Sequence, residues 1–250
     1  MGTNKALNTK PQAVSLLYEG KSKKLYKVGA NEAIMVFKDE VTAYNGKYHD
    51  IAPGKGLYSA ILSSKLFEVL EQNNIGTHYL CYMGGNKVKV RIHKVLPIEI
   101  IVRSYAYGSM LKRLPLLREL EPINPPLVEY HYKDDRLGDP LVHPRDLVIA
   151  GLVNSDELEE LENLAIRTNE ILKRFWEDRG LKLIDFKIEV AKTRKGLVIV
   201  DEITGDSMRL LDEKGAHLDK EIYRRTRNTK ALLSAYQHLA ELAGPPMRRC

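Results

Sequence analysis

The sequence predicts an α+β protein with a small N-terminal antiparallel-sheet domain, a larger α+β second domain and a cleft between them. Short strand patterns separated by glycine turns come first, and longer helical patterns follow among further strands. The 250 residues suffice for one large domain or two small ones without covalent staples. With 44% hydrophobic and 29% charged residues, the composition is that of a globular protein and disfavours disorder or coiled coil.

The first part of the chain alternates in the manner of short strands. Three such strands are predicted, at residues 14–19, 23–28 and 33–37. Residues 39–56 have no period but carry Asn45-Gly46 and Pro53-Gly54, which predicts a long loop. An apolar stripe from Leu57 to Leu70 then predicts a helix, and Gly84-Gly85-Asn86 predicts the turn of a hairpin.

Strands and helices mix in the second part. Residues 98–105 are predicted as a strand and residues 115–126 as irregular. Ser155 is expected to cap a long helix that ends at Gly180. Two strands (181–190 and 197–203) and a largely helical segment (219–242) follow. The predicted division is a mobile tail at 1–12, a first domain at 13–88 and a second at 89–250.

Hydropathy, cysteine content and net charge indicate the compartment and the partners of the protein. The first residues lack the apolar stretch of a signal peptide, and no apolar run approaches the ~18 residues of a membrane span, so no membrane association is expected. Cys81 and Cys250 cannot build a disulfide framework, which favours a reducing, cytoplasmic location. The net charge of +6 suits either nucleic acid or an anionic small substrate.

The segment YEGKSKKLY at residues 18–26 is a candidate for phosphate binding. It nearly matches a P-loop, but Ser15 stands where glycine is required and a strand follows where a helix is required. A glycine turn between strands, carrying Lys21 and Lys23, can still close over a nucleotide, as in kinases. The alternative is an ordinary basic hairpin turn, and this segment alone leaves both open.

The segment LIDFKIEV at residues 183–190 places charges on one face of a strand. Alternation puts Asp185, Lys187 and Glu189 together, opposite an apolar face. A hairpin with the next strand can bring Glu189 near Asp201, and paired carboxylates favour a cation between them. Oxygen ligands together with phosphate are how Mg²⁺ is held, although a solvated sheet surface would give the same pattern.

Two further segments combine charge with turns. Arg103 emerges from an apolar strand shortly before Gly108-Ser109, a combination that can grip phosphate through a guanidinium fork, a backbone amide and a hydroxyl. In TGDSMRL at residues 204–210, Asp206 and Arg209 offer a carboxylate and a guanidinium together. The alternative for each segment is an ordinary turn that binds no ligand.

In order and spacing, these segments resemble the SAICAR synthetase family, the phosphoribosylaminoimidazole-succinocarboxamide synthases of purine biosynthesis. The resemblance spans about residues 17–242. Its markers are YEGKSKKLY, TAYNGKYHDIAPGKG at 42–56, PIEIIVR with Gly108-Ser109, YKDDRLGDP at 132–140, LIDFKIE and DEITGDSMRL at 201–210. Each is weak alone, and six in the family's order are specific.

The resemblance implies an ATP-dependent ligase that condenses carboxyaminoimidazole ribotide (CAIR) with L-aspartate, with ATP and Mg²⁺ in the cleft between a kinase-like N-terminal part and the second domain. It assigns residues to five roles: ATP phosphates (Gly20, Lys21, Lys23), metal (Glu189, Asp201), reacting groups (Asp185, Lys187), the ribotide (Arg103, Ser109, Asp206, Arg209) and, for aspartate, Lys55 and Gly56, where a helix begins. We also expect a homo-oligomer.

Two other function classes remain at this stage. A small-molecule kinase would share the ATP cleft but release a phosphorylated product. A basic nucleic-acid-binding module would use the 13 tyrosines for stacking, but the basic residues are spread along the chain rather than clustered. We therefore expect small-molecule partners and no nucleic acid.

Overall fold

The computed structural model of the chain describes residues 14–44 and 46–250. The expected tail at residues 1–12 and the Asn45 turn position lie outside the described residues. Strands and helices follow one another as β1 (Ser15–Glu19), β2 (Lys23–Lys27), β3 (Glu32–Phe37), β4 (Glu40–Ala43), β5 (Tyr48–Ile51), α1 (Lys55–Gln72), β6 (Tyr79–Gly84), β7 (Lys87–Arg91), β8 (Val95–Tyr105), α2 (Ser109–Arg113), β9 (Pro122–Tyr132), β10 (Leu141–Val142), α3 (Pro144–Ile149), α4 (Ser155–Glu177), β11 (Lys182–Thr193), β12 (Gly196–Val200), β13 (Met208–Leu211), α5 (Glu221–Thr226) and α6 (Thr229–Ala243).

The first sheet is antiparallel and has the order β1-β2-β3-β7-β6. Alternate residues of β3, among them Ala33, Met35 and Phe37, are buried, because successive side chains of a strand point to opposite faces. Helix α1 packs against this sheet, and α6, from the other end of the chain, packs against α1. The predicted strands and helix of this region are confirmed.

The second sheet has the order β10-β9-β8-β11-β12. Helix α4 covers it and buries an apolar stripe that includes Leu161, Leu172 and Trp176. Strand β11 lies inside this sheet and is therefore the element that most directly determines what faces the cleft. Together the two sheets and their helices confirm the α+β fold class.

Strand β11 has three partners. It pairs with β8 along one edge, while its other edge pairs first with β13 and then with β12. Between these two partners the chain leaves β12 at Val200 and returns at Met208, and the Lys187 amide donates to the Ser207 carbonyl at 2.8 Å. The loop of residues 201–207 is thereby brought onto the middle of β11.

Three local predictions are wrong. Residues 39–56 contain the β4–β5 hairpin rather than an uninterrupted loop, and β9 begins at Pro122 within the stretch expected to be irregular. The long helix is capped by Asn154, whose side chain accepts from the Glu157 amide, while Ser155 is the first helical residue. Asn154 and Glu157 form a capping box, which is why the helix begins one residue earlier than expected.

The two cysteines also differ from expectation. Cys81 in β6 and Cys250 form a disulfide across 169 residues of sequence. The C-terminal segment reaches β6 through backbone bonds that join Tyr82 to Arg248 and Cys250. The two cysteines build no framework of several bridges, but they pair with each other, so the reducing-compartment expectation loses the observation on which it was based.

The domain division at residues 88 and 89 stays a prediction. Strand β7 spans this point and belongs to the first sheet through Arg91. In the part of the chain that is described, none of the helices combines the length and apolar character that a membrane crossing requires.

Candidate active site

Three adjoining cavities follow the cleft between the sheets. The first holds about 460 Å³ and is mainly apolar, with Leu25, Met35, Val90 and Leu96 in its walls. The second, about 580 Å³, is lined by lysines and carboxylates, and the third, about 190 Å³, by Ser109, Arg209 and Arg224. Glu189 and Asp201 border the first two, and Lys187 and Asp206 border the second and third. The cleft therefore changes continuously from apolar to charged to arginine-lined.

The charged face of β11 forms the floor of this cleft. Alternation places Asp185, Lys187 and Glu189 on that face, as predicted, but the carboxylates are buried rather than solvated. The register sets Asp185 opposite both Arg103 of β8 and Arg209 of β13, and Glu189 opposite Glu99. Neighbouring strands thus supply Asp185 with the partners that a buried charge needs, whereas Glu189 is paired by Lys187 of the same strand and by Lys133.

Glu189 and Asp201 meet at one lysine. Lys187 Nζ lies 3.0 Å from Glu189 Oε1 and 3.5 Å from Asp201 Oδ2, so the predicted approach of the two carboxylates is confirmed. Lys133 also pairs with Glu189, and Lys23 with Asp201. Asp201 itself has a φ of 71°, a backbone conformation that non-glycine residues adopt at a cost and that clusters at functional sites.

The two carboxylates differ in proton affinity. Burial, followed by repulsion from Asp201, raises the pKa of Glu189 above its ordinary value, although Lys187 and Lys133 oppose the shift. Burial would raise the pKa of Asp201 as well, but attraction to Lys23 and Lys187 outweighs it and holds that pKa well below the usual range. One firmly ionised carboxylate and one under repulsion define a place that favours added positive charge.

The glycine turn lies over the charged cavity. The Gly20 amide donates to the Lys23 carbonyl at 2.9 Å, which closes the turn between β1 and β2. Lys21 is exposed and pairs with Asp135 at 2.8 Å, whereas Lys23 is nearly buried and contacts Asp201 and Glu202. Attraction to these two acids outweighs burial and raises the pKa of Lys23, so its amino group is charged. The three predicted phosphate-binding residues line one cavity.

The predicted ribotide residues divide into two kinds. Arg103 is only 1% exposed, and its guanidinium donates to Glu129 Oε2 and Asp185 Oδ2, both at 2.8 Å, and to Ser109 Oγ at 3.0 Å. Arg209 donates to Asp185 Oδ2 at 2.7 Å but keeps part of its side chain at the cavity. All three residues line the third cavity, but Arg103 is engaged by these bonds and braces the site, while Arg209 and Ser109 are more accessible to a ligand.

Asp206 and Lys55 form a buried pair. Lys55, 1% exposed, donates to Asp206 Oδ2 at 2.5 Å, and Tyr236 donates to Asp206 Oδ1 at 3.1 Å. Burial opposes ionisation of Asp206, but Lys220 and Lys55 outweigh it and lower its pKa. The Gly56 amide donates to Asp39 Oδ1 at 2.9 Å. Neither Lys55 nor Gly56 is positioned to meet a ligand without rearrangement, so their aspartate role remains a prediction without geometric support.

Four functional candidates were not singled out from the sequence. Lys133 lies in the marker at residues 132–140, and Glu202 directly follows Asp201, so both had a local signal that was not used. Lys220 lies 3.3 Å from Asp206, and burial is the first cause that lowers its pKa. Arg224 lines the third cavity. Lys220 and Arg224 belong to the region around α5, and no motif connects them with β11.

The carboxylates around Lys187 are suited to a divalent cation shared with phosphate. Among residues 14–44 and 46–250, no three His, Cys, Asp or Glu side chains already form a metal cage. Mg²⁺, however, is commonly held by one or two carboxylates together with substrate phosphates. Glu189 and Asp201 supply such oxygens, and their mutual repulsion is the condition that a cation relieves. The residues present therefore fit Mg²⁺ bound with a nucleotide.

The fold and the site define a two-lobed enzyme that handles nucleotide phosphates, with lysines and carboxylates between an apolar and an arginine-lined cavity. The sequence model of the SAICAR synthetase family matches residues 16–241. The chain belongs to the SAICAR synthetase family.

Individual relatives agree with this membership. The chain is 44% identical over 229 residues to a phosphoribosylaminoimidazole-succinocarboxamide synthase of Pyrobaculum aerophilum, a match that covers 92% of this chain and 97% of that protein. It is 40% identical over 230 residues to the enzyme of that name from Caldivirga maquilingensis, with 92% and 95% covered. A solved SAICAR synthetase in complex with ADP superimposes with a TM-score of 0.86 at 37% identity, covering 92% of this chain and 97% of the other.

Proposed function

We propose that this chain is an ATP-dependent ligase that joins the carboxylate of CAIR to the amine of L-aspartate and releases ADP and phosphate. The observation that carries the proposal is the continuous series of apolar, lysine–carboxylate and arginine-lined cavities. A base fits the first, a triphosphate the second and the phosphate of a ribotide the third. Membership of the SAICAR synthetase family selects this reaction among those that such a cleft permits.

ATP occupies the first two cavities in this proposal. Its base packs between residues such as Leu25, Met35 and Leu96, and its phosphates lie beneath the Gly20 turn against Lys21 and Lys23. A related solved structure is a complex with ADP, which supports nucleotide binding by this chain.

Glu189 and Asp201 would hold Mg²⁺. When bound, the ion neutralises phosphate charge during transfer.

CAIR extends from the charged cavity into the third. Arg209 and Ser109 contact its phosphate, and Arg103 holds Asp185 and Ser109 in place. Asp206, on the border of the second and third cavities, faces the ribose or imidazole side. Asp185 and Lys187 then lie nearest to the reacting carboxylate, where Lys187 counters charge that accumulates as the phosphoryl group approaches.

The reaction proceeds through an acyl phosphate. A carboxylate oxygen of CAIR takes the γ-phosphoryl group and ADP leaves, which converts a poor leaving group into a good one. The amine of aspartate then attacks the carbonyl carbon, the carbon–oxygen bond to phosphate breaks, and the nitrogen loses a proton as the amide forms. The protein's charged side chains position these groups and balance their charge, a role that requires no covalent bond to the chain.

Lysines supply the proposed contacts to aspartate. Lys55 and Gly56 remain the predicted pair, but both are engaged within the protein. Lys38 and Lys220 both line the charged cavity. Either supplies a cation for a carboxylate of aspartate, so we include them in the proposed aspartate site. We further propose a cytoplasmic homo-oligomer that works on small molecules without nucleic acid.

An omission assay tests this proposal. ADP release is measured with ATP, Mg²⁺, CAIR and aspartate, and again with each one left out. Full turnover should require all four. ADP release that continues without aspartate, with a stable phosphorylated product, would instead identify a kinase. Lys187→Met should abolish turnover, whereas Lys195→Met, an exposed lysine in the β11–β12 turn, is the matched control and should retain it.

A further inference from the structure

A buried hydrogen-bonded chain lies beside the third cavity, outside the residues assigned above. Asp219 Oδ2 lies 2.9 Å from His217 Nδ1, and His217 Nε2 lies 2.8 Å from the Tyr107 hydroxyl. Arg225 donates to the same hydroxyl. Tyr107 is 4% exposed and Asp219 is fully buried. This chain of hydrogen bonds therefore connects a buried carboxylate with a tyrosine two residues beyond the end of β8.

The hydrogen-bond partners of each group determine which atoms donate and which accept in this network. Asp219 already accepts from the backbone amides of Leu210 at 2.9 Å and Glu221 at 2.7 Å, so its side chain acts as the fixed acceptor. His217 then donates from Nδ1 to Asp219, which leaves Nε2 to accept from Tyr107. Arg225 supplies a donor for the oxygen of Tyr107. Each contact of the network thus has one donor and one acceptor, and the network fixes the orientation of the Tyr107 hydroxyl.

This network holds the ring of Tyr107 in place, and Arg209 packs against that ring. The Arg209 guanidinium carbon lies 5.1 Å from the ring centroid, within the range of a cation–π contact. On the adjoining Gly108, with φ 62°, an added Cβ would lie 3.1 Å from Arg209 Nη2. Both residues therefore shape the space in which the guanidinium lies. Asp185 fixes Nη1 of Arg209 from the remaining direction, at 2.7 Å.

We propose that Tyr107, held by His217 and Asp219, is a positioning residue that fixes Arg209 for the anionic group bound in the third cavity. This inference rests on the proposed function only for the identity of that anion, the phosphate of CAIR. A guanidinium binds phosphate through parallel hydrogen bonds and therefore depends on its orientation. When the hydroxyl is lost, the ring keeps its volume but loses its anchor, and Arg209 is then held only by its contacts with Asp185 and Glu221.

The expected signature separates positioning from general damage. Tyr107→Phe should raise KM for CAIR by about 2- to 10-fold, the range of one lost hydrogen bond. The kcat, the KM for ATP and the thermal midpoint should stay within about twofold or a few degrees of wild type. His217→Leu should reproduce the effect, and His217→Gln, which retains an acceptor toward Tyr107, should restore most of the affinity.

A double-mutant cycle with Arg209→Lys is the decisive experiment. If Tyr107 acts through Arg209, then Tyr107→Phe adds no further loss of CAIR affinity once Arg209 is lysine. Fully additive effects, or equal increases in all three KM values, would overturn the proposal. The same cycle is measured with inorganic phosphate by calorimetry, which needs no turnover. If ligase activity is absent, the proposed function fails, while the phosphate cycle still decides the role of Tyr107 by the same criterion.

Discussion

Removal of the Cys81–Cys250 disulfide should destabilise this protein strongly. The bond closes a loop of 169 residues, and the chain-entropy relation for a loop of that length gives about 5 kcal/mol of stabilisation at 25 °C. For a chain of this size, each kcal/mol moves the thermal midpoint by roughly 2–4 °C, so a fall of roughly 10–20 °C is expected. Much of the effect lies in the unfolded chain, which gains freedom when the bond is absent.

Hydrogen bonds also hold the C-terminal segment in place, independently of the disulfide. The buried carboxylate of Glu68 accepts from the amides of Met247 and Arg248, both at 2.8 Å, and Tyr79 donates to it at 3.1 Å. These bonds persist without the disulfide, so the native fold should survive in the variant.

Cys250→Ser, Cys81→Ser and the double variant are compared with wild type by equilibrium unfolding in guanidinium chloride and by calorimetry, with and without reductant. All three variants should show the same loss, and reductant should lower wild type to their level without affecting them. A wild-type midpoint that is unchanged after thiol titration confirms complete reduction would refute the reasoning. So would a double variant clearly less stable than either single one.

Three further predictions concern the site and its surroundings. Asp201→Asn should retain the fold but lower kcat/KM for Mg²⁺–ATP at least ~100-fold, because a charge opposite phosphate is lost, and near-normal turnover at saturating Mg²⁺ would exclude the assignment. Arg209→Lys should raise KM for CAIR alone, whereas Arg103→Lys, buried between two carboxylates, should also lower the thermal midpoint; an unchanged midpoint for the latter would contradict its bracing role. Burial lowers the pKa of His78 from 6.5 to about 3, so the unfolded chain binds a proton at this residue more readily than the folded chain does. The stability of the fold should therefore decrease as the pH drops from about 6.5 toward 3. The decrease should be up to about tenfold in the folding equilibrium constant per pH unit. His78→Asn should flatten that dependence, and identical pH profiles would count against it.

The sequence predicted those parts of the fold in which local periodicity and burial agree. Strand β11 alternates between charged and apolar residues because one face packs in the core and the other faces the cleft, so its three site residues were placed correctly on one face. The β4–β5 hairpin was missed because β5 is exposed throughout, which leaves no apolar alternation to detect. Helix α1 was found because Leu62, Leu66 and Leu70 recur every four residues, and all three are buried.

Contacts between residues that are far apart in the sequence could not be predicted from local sequence patterns. Lys55 and Asp206 are separated by 151 residues, and Cys81 and Cys250 by 169. No local signal indicates that Lys55, at the start of α1, turns toward an acid in the loop after β12. A lysine at a helix start is expected to be solvated, so its burial against Asp206 became visible only when the two parts of the chain were placed together.

In the proposed reaction, the CAIR carboxylate itself accepts the phosphoryl group in this cleft. The most direct test of this step is to label both oxygens of that carboxylate with ¹⁸O and to follow the label by mass spectrometry in a complete reaction with Mg²⁺–ATP and aspartate. If the CAIR carboxylate is the acceptor, one label should appear in inorganic phosphate, because the bridging oxygen leaves with phosphorus, and the other should remain in the new amide. Amide product formed together with unlabelled phosphate would show that the carboxylate is not phosphorylated.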